Sequence, residues 1–140
     1  MAIEVREREE YPTTPDKVWA AVGDFCSISK WHPVVAKCEI VEIDGVKHRR
    51  LTTGDGGVLL EKLTASDDAG MTYSYEIVES PLPVANYKST FTVKEDDDGA
   101  AIVWQGTFDA KDASDEKAAE VIKGIYDAGL QNLSKQLGGG

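Results

Sequence analysis

Residues 114–137, SDEKAAEVIKGIYDAGLQNLSKQL, decide the fold because they predict one long amphipathic helix. Apolar residues recur at steps of three and four, as on one face of an α-helix, and the opposite face is polar. Ser114 or Asp112 can cap the start of this helix, and Gly138 can end it. The apolar stripe consists of Ala118, Ile122, Ile125, Tyr126, Gly129, Leu130, Leu133 and Leu137.

Gly129 places a residue without a side chain in the middle of this stripe. Glycine in a helix interior costs about 1 kcal/mol relative to alanine. On a buried face it either allows a neighbouring element to approach closely or leaves room for a ligand. The helix alone favours close packing.

The chain has 140 residues, with 25 acidic residues against 15 Lys and Arg and a formal net charge of −10. This length suits one domain, and we expect a single domain over residues 1–140. The negative charge opposes binding to nucleic acid and to anionic membranes. No apolar run is long enough to span a membrane, and the first ten residues lack a signal-peptide core. We therefore expect a cytoplasmic monomer or homodimer that does not insert into membranes.

Cys26 and Cys38 are the two cysteines of the chain. Without an export signal, we expect both thiols to be reduced. Together with His32 they lack the paired short spacing of zinc ligands. The acidic clusters at 67–68 and 96–98 lack the spacing of a calcium loop. We expect neither a metal nor a cofactor.

Two short helices and then six strands precede the long helix. The predicted elements are a strand Ile3–Tyr11, helices Asp16–Val22 (capped by Thr14, with Pro15 first) and Phe25–Trp31, and strands Val35–Ile43, Val46–Thr53, Val58–Ala65, Met71–Glu79, Ala85–Glu95 and Ala100–Ala110. Short turns such as Asp44-Gly45 predict an antiparallel meander, which the first strand extends to seven strands. The fold class is therefore α+β, with a curved sheet packed on the long helix.

Glu61 is the least expected residue on the inward face of this sheet, because alternation places it between Leu59 and Leu63. A buried carboxylate needs hydrogen bonds or a positive partner. The nearest candidate partner is Arg49 on the preceding strand. Three interpretations remain open: an ion pair at the mouth of the barrel, a polar anchor for a ligand, and a general acid or base.

Aromatic residues with polar tips share this inward face: Tyr73, Tyr75, Tyr87 and Trp104. They fit an ordinary core whose hydroxyls reach the rim, and they equally fit a small-molecule pocket with a few polar groups. His32, in Trp31-His32-Pro33, is more typical of a structural residue than of a catalyst. It remains, with Glu61, a catalytic candidate. No serine or cysteine at a nucleophile elbow accompanies them.

Several local patterns occur together along the chain: Pro15-Asp16-Lys17-Val18-Trp19, Asp24-Phe25, Lys30-Trp31-His32-Pro33, Glu61-Lys62-Leu63, Tyr73-Ser74-Tyr75, Pro81-Leu82-Pro83, Tyr87 and Trp104. In this order they resemble the polyketide cyclase/dehydrase and lipid-transport family of the START-like (SRPBCC) superfamily, which includes the birch-pollen allergen. The resemblance covers nearly the whole chain. It implies a helix-grip fold with a hydrophobic cavity between the sheet and the last helix. Lys62 stands where the family commonly has arginine.

The resemblance also implies a range of functions, because members bind lipids, polyketides, sterols or plant hormones and some catalyse cyclisation or dehydration. The family has no universal catalytic set, so no catalytic role is transferred.

We expect this chain to bind a small hydrophobic or aromatic ligand between the final helix and the sheet. The predicted contacts are a floor of Ile122, Ile125 and Gly129, walls of Tyr73, Tyr75, Tyr87 and Trp104, an entrance at Trp31 and His32, and the polar group of Glu61. One alternative is a polyketide cyclase or dehydratase in which Glu61 or His32 moves protons. Another is a protein-interaction module with a filled core and an acidic surface. Ligand binding requires that the sheet and the helix leave space between them.

Overall fold

A seven-stranded antiparallel sheet curves around a long C-terminal helix in the computed structural model, which describes residues 2–137. The elements are β1 (Ile3–Tyr11), α1 (Pro15–Val22), α2 (Ile28–Trp31), β2 (Val35–Ile43), β3 (Val46–Thr53), β4 (Val58–Asp67), β5 (Thr72–Glu79), β6 (Val84–Asp96), β7 (Gly99–Ala110) and α3 (Asp115–Gln136). The strands lie in the order β1-β7-β6-β5-β4-β3-β2. The predicted α+β helix-grip fold is confirmed.

Each predicted strand is present, and β2 to β7 form the predicted meander. Asp44 and Gly45 have φ angles of 52° and 78°, as a two-residue hairpin turn of this type requires. β4 continues to Asp67, two residues beyond the predicted end, because Ser66 and Asp67 still pair with β5. β1 pairs along its whole length with β7, which joins the first strand of the chain to the last strand of the meander.

α3 begins after Ser114, one of the two predicted caps, since the N–H of Lys117 donates to Ser114 Oγ at 3.1 Å. Six of the eight residues of its apolar stripe are buried, and Ile125 and Leu137 are partly exposed. The Tyr11 hydroxyl donates to the Leu130 carbonyl at 2.9 Å and fixes the helix to β1. Gly138, the predicted terminator, lies outside the described residues.

Cys26 and Cys38 form a disulfide, so the prediction of two reduced thiols is wrong. The segment between them folds back so that α2 packs beside β2 and the two Cα atoms lie 5.5 Å apart. This separation is within the usual range for a disulfide. The linear spacing of the two residues does not reveal the fold-back. The bond attaches the α1–α2 connection to the edge strand β2.

The two faces of the sheet differ as the alternation predicts. Phe91 and Trp104 are buried on the inner face. On the outer face, hydroxyl groups pair across strands, as in Ser74 with Thr90 at 2.9 Å. Within residues 2–137, no helix has the length and apolar character needed to cross a membrane.

Candidate functional site

An apolar chamber of about 80 Å³ lies between the inner face of the sheet and α3. Leu51, Leu59 and Ile77 line it from the sheet, and Ile122 and Ile125 line it from α3. One water in the liquid occupies about 30 Å³, whereas drug-sized ligand sites occupy roughly 300–1,000 Å³. The sheet and the helix therefore leave some space unfilled, but too little for a large molecule.

A shallow surface groove of about 750 Å³, which we call the entrance groove, adjoins the chamber. The groove lies between α3 and the loops at residues 33–34, 54–57 and 81–82. The two spaces share lining residues: Val34, Thr53, Leu59, Leu82 and Ile125. The shared residues are mostly apolar, so the route from the surface to the chamber is apolar as well.

Glu61 lines the chamber and forms an ion pair with Arg49, its directly opposite neighbour in the β3–β4 ladder. Arg49 Nε donates to Glu61 Oε1 at 2.6 Å, and Arg49 Nη1 donates to the Phe25 carbonyl at 2.7 Å. Burial alone would lower the pKa of Arg49, but the Glu61 carboxylate and the hydroxyls of Tyr73 and Tyr75 together outweigh this, and the pKa is raised. Arg49 is 0% exposed, so the pair lies in the interior and not at the mouth, where the ion-pair interpretation had placed it.

The polar tips of Tyr75, Tyr87, Tyr126 and Trp104 form one closed cluster with Ser89 beside the chamber. Ser89 Oγ donates to the Gln105 carbonyl at 2.9 Å, so the Tyr126 hydroxyl must donate to Ser89. The Tyr87 hydroxyl then donates to Tyr126, and the Tyr75 hydroxyl to Tyr87. Each hydroxyl proton is therefore already used.

Trp104 completes this cluster, since its Nε1–H donates to both Tyr75 and Ser89 at 3.1 Å. Burial raises the pKa of Tyr75 and of Tyr87 well above the ordinary value of tyrosine. The hydroxyls consequently stay protonated at neutral pH, and they act as structural donors and acceptors.

His32 has both ring nitrogens occupied. The Val34 N–H donates to Nδ1 at 3.2 Å, which places the proton on Nε2, and Nε2–H donates to the Ile125 carbonyl at 2.8 Å. Burial lowers the pKa of His32, so the neutral ring is favoured. No nitrogen of this ring is free for proton transfer to a bound molecule.

Trp31 and His32 do not form the predicted entrance, because they are 1% and 3% exposed. They pack against Gly129 of α3. A Cβ at Gly129 would lie 2.6 Å from His32 Cδ2 and 2.8 Å from Trp31 Cζ3. Gly129 therefore serves close packing and does not contribute to the chamber.

Of the ten predicted ligand-contact residues, seven line the chamber: His32, Glu61, Tyr75, Tyr87, Trp104, Ile122 and Ile125. The other three, Trp31, Tyr73 and Gly129, lie in the surrounding core. The Tyr73 ring stacks on Phe91, with centroids 5.3 Å apart. Whether the seven bind a ligand stays a prediction.

Tyr126 and Leu82 line the chamber but were not among the predicted contacts. A signal existed for Tyr126, since it carries a hydroxyl on the apolar stripe of α3. Leu82 stands between Pro81 and Pro83, and nothing in that sequence shows which way its side chain points.

The sequence profile of the family described as polyketide cyclase/dehydrase and lipid transport matches residues 2–138. The chain belongs to this family. No curated protein matches the sequence.

Solved structures similar to this member of the polyketide cyclase/dehydrase family include the protein XoxI from Bacillus cereus, with 32% identity and a TM-score of 0.90 over 96% of this chain and 94% of that chain. An uncharacterised protein from Bacillus thuringiensis has 31% identity and a TM-score of 0.90 over 96% and 98% of the two chains. The Zhui aromatase/cyclase from a Streptomyces species has 19% identity and a TM-score of 0.72 over 99% and 91%. The last similarity concerns the fold alone.

Proposed function

We propose that this protein binds a small hydrophobic or aromatic ligand, one end of which enters the chamber while the rest lies in the entrance groove. The observation that carries the proposal is an apolar space that adjoins an apolar surface route and whose tyrosine, Trp104 and His32 polar groups are hydrogen-bonded within the protein. Such walls present little that water can bind, so an apolar group replaces water there at low cost.

The sizes of the two spaces define the ligand. The chamber of about 80 Å³ accepts one small ring or a branched chain end. The groove of about 750 Å³ is in the range of ordinary ligand sites, although it is open to solvent. A lipid-like or polyketide-like molecule therefore has room for one end inside and for its body outside.

Burial of apolar surface supplies the affinity. A ring that buries about 150 Å² gains about 4 kcal/mol at ~25 cal/mol per Å². That gain corresponds to a dissociation constant of about 1 mM if nothing offsets it, and the loss of freedom on association weakens it further. Tight binding therefore requires contacts in the groove as well.

The test is ligand binding by the intact protein and by a variant whose passage is blocked. Ile125→Trp places a large ring where the chamber and the groove meet, and Ile40→Trp adds the same ring at an exposed site on β2. We expect dye displacement and mass spectrometry of gently purified protein to show binding that Ile125→Trp abolishes and Ile40→Trp retains. Absence of binding by the unaltered protein would overturn the proposal.

A second candidate is a cyclase or dehydratase. It is favoured by the family description and by the position of Glu61, whose carboxylate faces the ligand space. Glu61 would move the proton and the chamber would hold the substrate in a reactive geometry. We expect Glu61→Gln to abolish turnover while an apolar substrate analogue still binds. Equal loss of both would count against the enzyme.

The remaining expectations stay predictions. The interaction module called for a filled interior, which the chamber does not provide. Cytoplasmic location, the monomeric or homodimeric state, and the absence of nucleic-acid binding and membrane insertion are untested. The Cys26–Cys38 disulfide is more typical of oxidising compartments than of the cytosol. A labelled fusion protein followed by microscopy would test the location directly.

A further inference from the structure

Among residues 2–137, Glu61 is the one Asp, Glu, Lys or Arg residue that lines the chamber. Glu61 lines the chamber, whereas its partner Arg49 does not. The Arg49 guanidinium packs on the rings of Phe25 and Tyr75, with Cζ 4.1 Å and 4.8 Å from their centroids. The aromatic rings and the Phe25 carbonyl hold the positive charge away from the ligand space. A ligand in the chamber therefore meets the carboxylate and not the guanidinium.

Glu61 is also the side chain best placed to accept a new hydrogen bond there. It binds Arg49 through Oε1, which leaves Oε2 for another donor. The hydroxyls of Tyr75, Tyr87 and Tyr126 donate within their own cluster. Both nitrogens of His32 are bonded to the backbone. The polar chemistry offered to a ligand is therefore mainly that of an acceptor.

We infer that Glu61 is a specificity-determining residue, which makes the chamber select a neutral ligand end that donates a hydrogen bond and reject a carboxylate. This inference rests on the proposed binding function. A hydroxyl or N–H on the inserted end satisfies Oε2 with a charge-assisted hydrogen bond. A carboxylate would lie nearer to Glu61 than to the Arg49 guanidinium, and it would also lose its hydration in a poorly solvated space, so its entry is disfavoured.

An ammonium group is disfavoured for a different reason. Arg49 already neutralises Glu61, so the pair has little net charge to offer a cation. The cation would still lose its hydration on entering the apolar chamber. A neutral alcohol, phenol or amide N–H at the inserted end is the remaining class.

The test uses three probes that share one six-membered ring: phenol, toluene and benzoate. Their dissociation constants are measured by methyl chemical-shift titration, and each is expressed relative to toluene, which reports the apolar contribution alone. In the unaltered protein we expect phenol and toluene to bind and benzoate to bind at least about tenfold more weakly than toluene, a difference of ~1.4 kcal/mol.

Two variants distinguish the effect of the Arg49–Glu61 charges from the effect of the apolar chamber itself. Glu61→Gln leaves Arg49 without its counter-ion. We therefore expect the affinity for benzoate to rise at least about tenfold relative to the affinity for toluene. Arg49→Met with Glu61→Leu replaces the pair by apolar side chains, and we expect phenol to lose about tenfold relative to toluene. If Glu61→Gln does not fold, the double variant still tests the role of Glu61. Glu79→Gln, an exposed change on β5, is the matched control and leaves the phenol-to-toluene and benzoate-to-toluene ratios unchanged.

The outcomes separate this inference from the proposed function. Unchanged ratios in the double variant, with toluene still bound, would overturn the role of Glu61 and leave the binding function intact. Benzoate binding to the unaltered protein as tightly as toluene would do the same. Failure of all three probes to bind the unaltered protein would overturn both.

Discussion

At the scale of single residues, Arg49 is held by three kinds of contact at once. It pairs with the Glu61 carboxylate, donates to the Phe25 carbonyl, and lies over an aromatic ring. Its Nη2 is one of two buried side-chain nitrogens without a hydrogen-bond partner among residues 2–137, the other being Trp31 Nε1. The desolvation cost of such a pair is large, so the stability it contributes depends on both charges remaining together.

Removal of one charge should therefore cost more than removal of both. We expect Arg49→Met to lower the free energy of unfolding by about 3–5 kcal/mol, because it leaves a buried carboxylate uncompensated. The double change Arg49→Met with Glu61→Leu should recover much of that loss. Urea unfolding of the three proteins measures the difference, and a double variant no more stable than the single one would contradict this account.

His32 gives the stability a defined pH dependence. Its pKa is lowered by burial, so below the ordinary value of about 6.5 the unfolded chain takes up the proton first. The contribution of neutral His32 to the free energy of unfolding is thus complete above about pH 6.5 and declines as the pH falls. We expect His32→Gln to reduce the loss of stability between pH 7 and pH 5. A nuclear magnetic resonance titration in which the His32 ring protonates above pH 6.5 would exclude this mechanism.

At the scale of elements, α3 contains two glycines in different surroundings. Gly124 is exposed, and a Cβ there would meet no atom within 4 Å. Gly129 is buried against Trp31 and His32. The same substitution at the two positions therefore separates helix propensity from packing.

Gly124→Ala should raise the free energy of unfolding by up to about 1 kcal/mol, the difference in helix propensity. Gly129→Ala gains the same propensity but forces the Trp31–His32 segment to move, and overpacking of this kind costs about 1–3 kcal/mol. We expect Gly129→Ala to lower the stability of the protein, measured by thermal unfolding. Higher stability of both variants would show that α3 is not tightly packed on α2.

The disulfide fixes the α1–α2 connection to β2, across a sequence separation of 12 residues. Closing a loop of this size removes about 3 kcal/mol of conformational entropy from the unfolded chain. We expect Cys26→Ser with Cys38→Ser to lower the free energy of unfolding by up to that amount, and a reducing agent to do the same to the unaltered protein. Mass spectrometry after thiol alkylation under native and denaturing conditions checks the bond, since two alkylated cysteines in the denatured, unreduced protein would contradict it.

At the scale of the whole molecule, the sheet encloses α3 and leaves a chamber on one side of it. The strands and the inward residues could be predicted because alternation and turns such as Asp44-Gly45 are local signals. The pairing of Glu61 with Arg49 could also be predicted, since neighbouring strands of a meander lie side by side.

The features that could not be predicted depend on contacts between distant segments. The position of Trp31 and His32 under α3 depends on Gly129, about one hundred residues later in the chain. The disulfide depends on α2 folding back on β2. The size of the chamber depends on the summed volume of side chains from several elements, and the alternation in the sequence reports only which way each side chain points.

The most direct test of the chamber is a methyl-resolved nuclear magnetic resonance titration of the unaltered protein with toluene. We expect shift changes and intermolecular contacts confined to methyl groups that line the chamber, among them those of Leu51, Leu59, Ile77, Ile122 and Ile125. The exposed methyl groups of Ile40 and Val78 provide the reference for non-specific contact. Changes at Ile40 and Val78 alone, or at no methyl group, would contradict the existence of a space that admits a ligand.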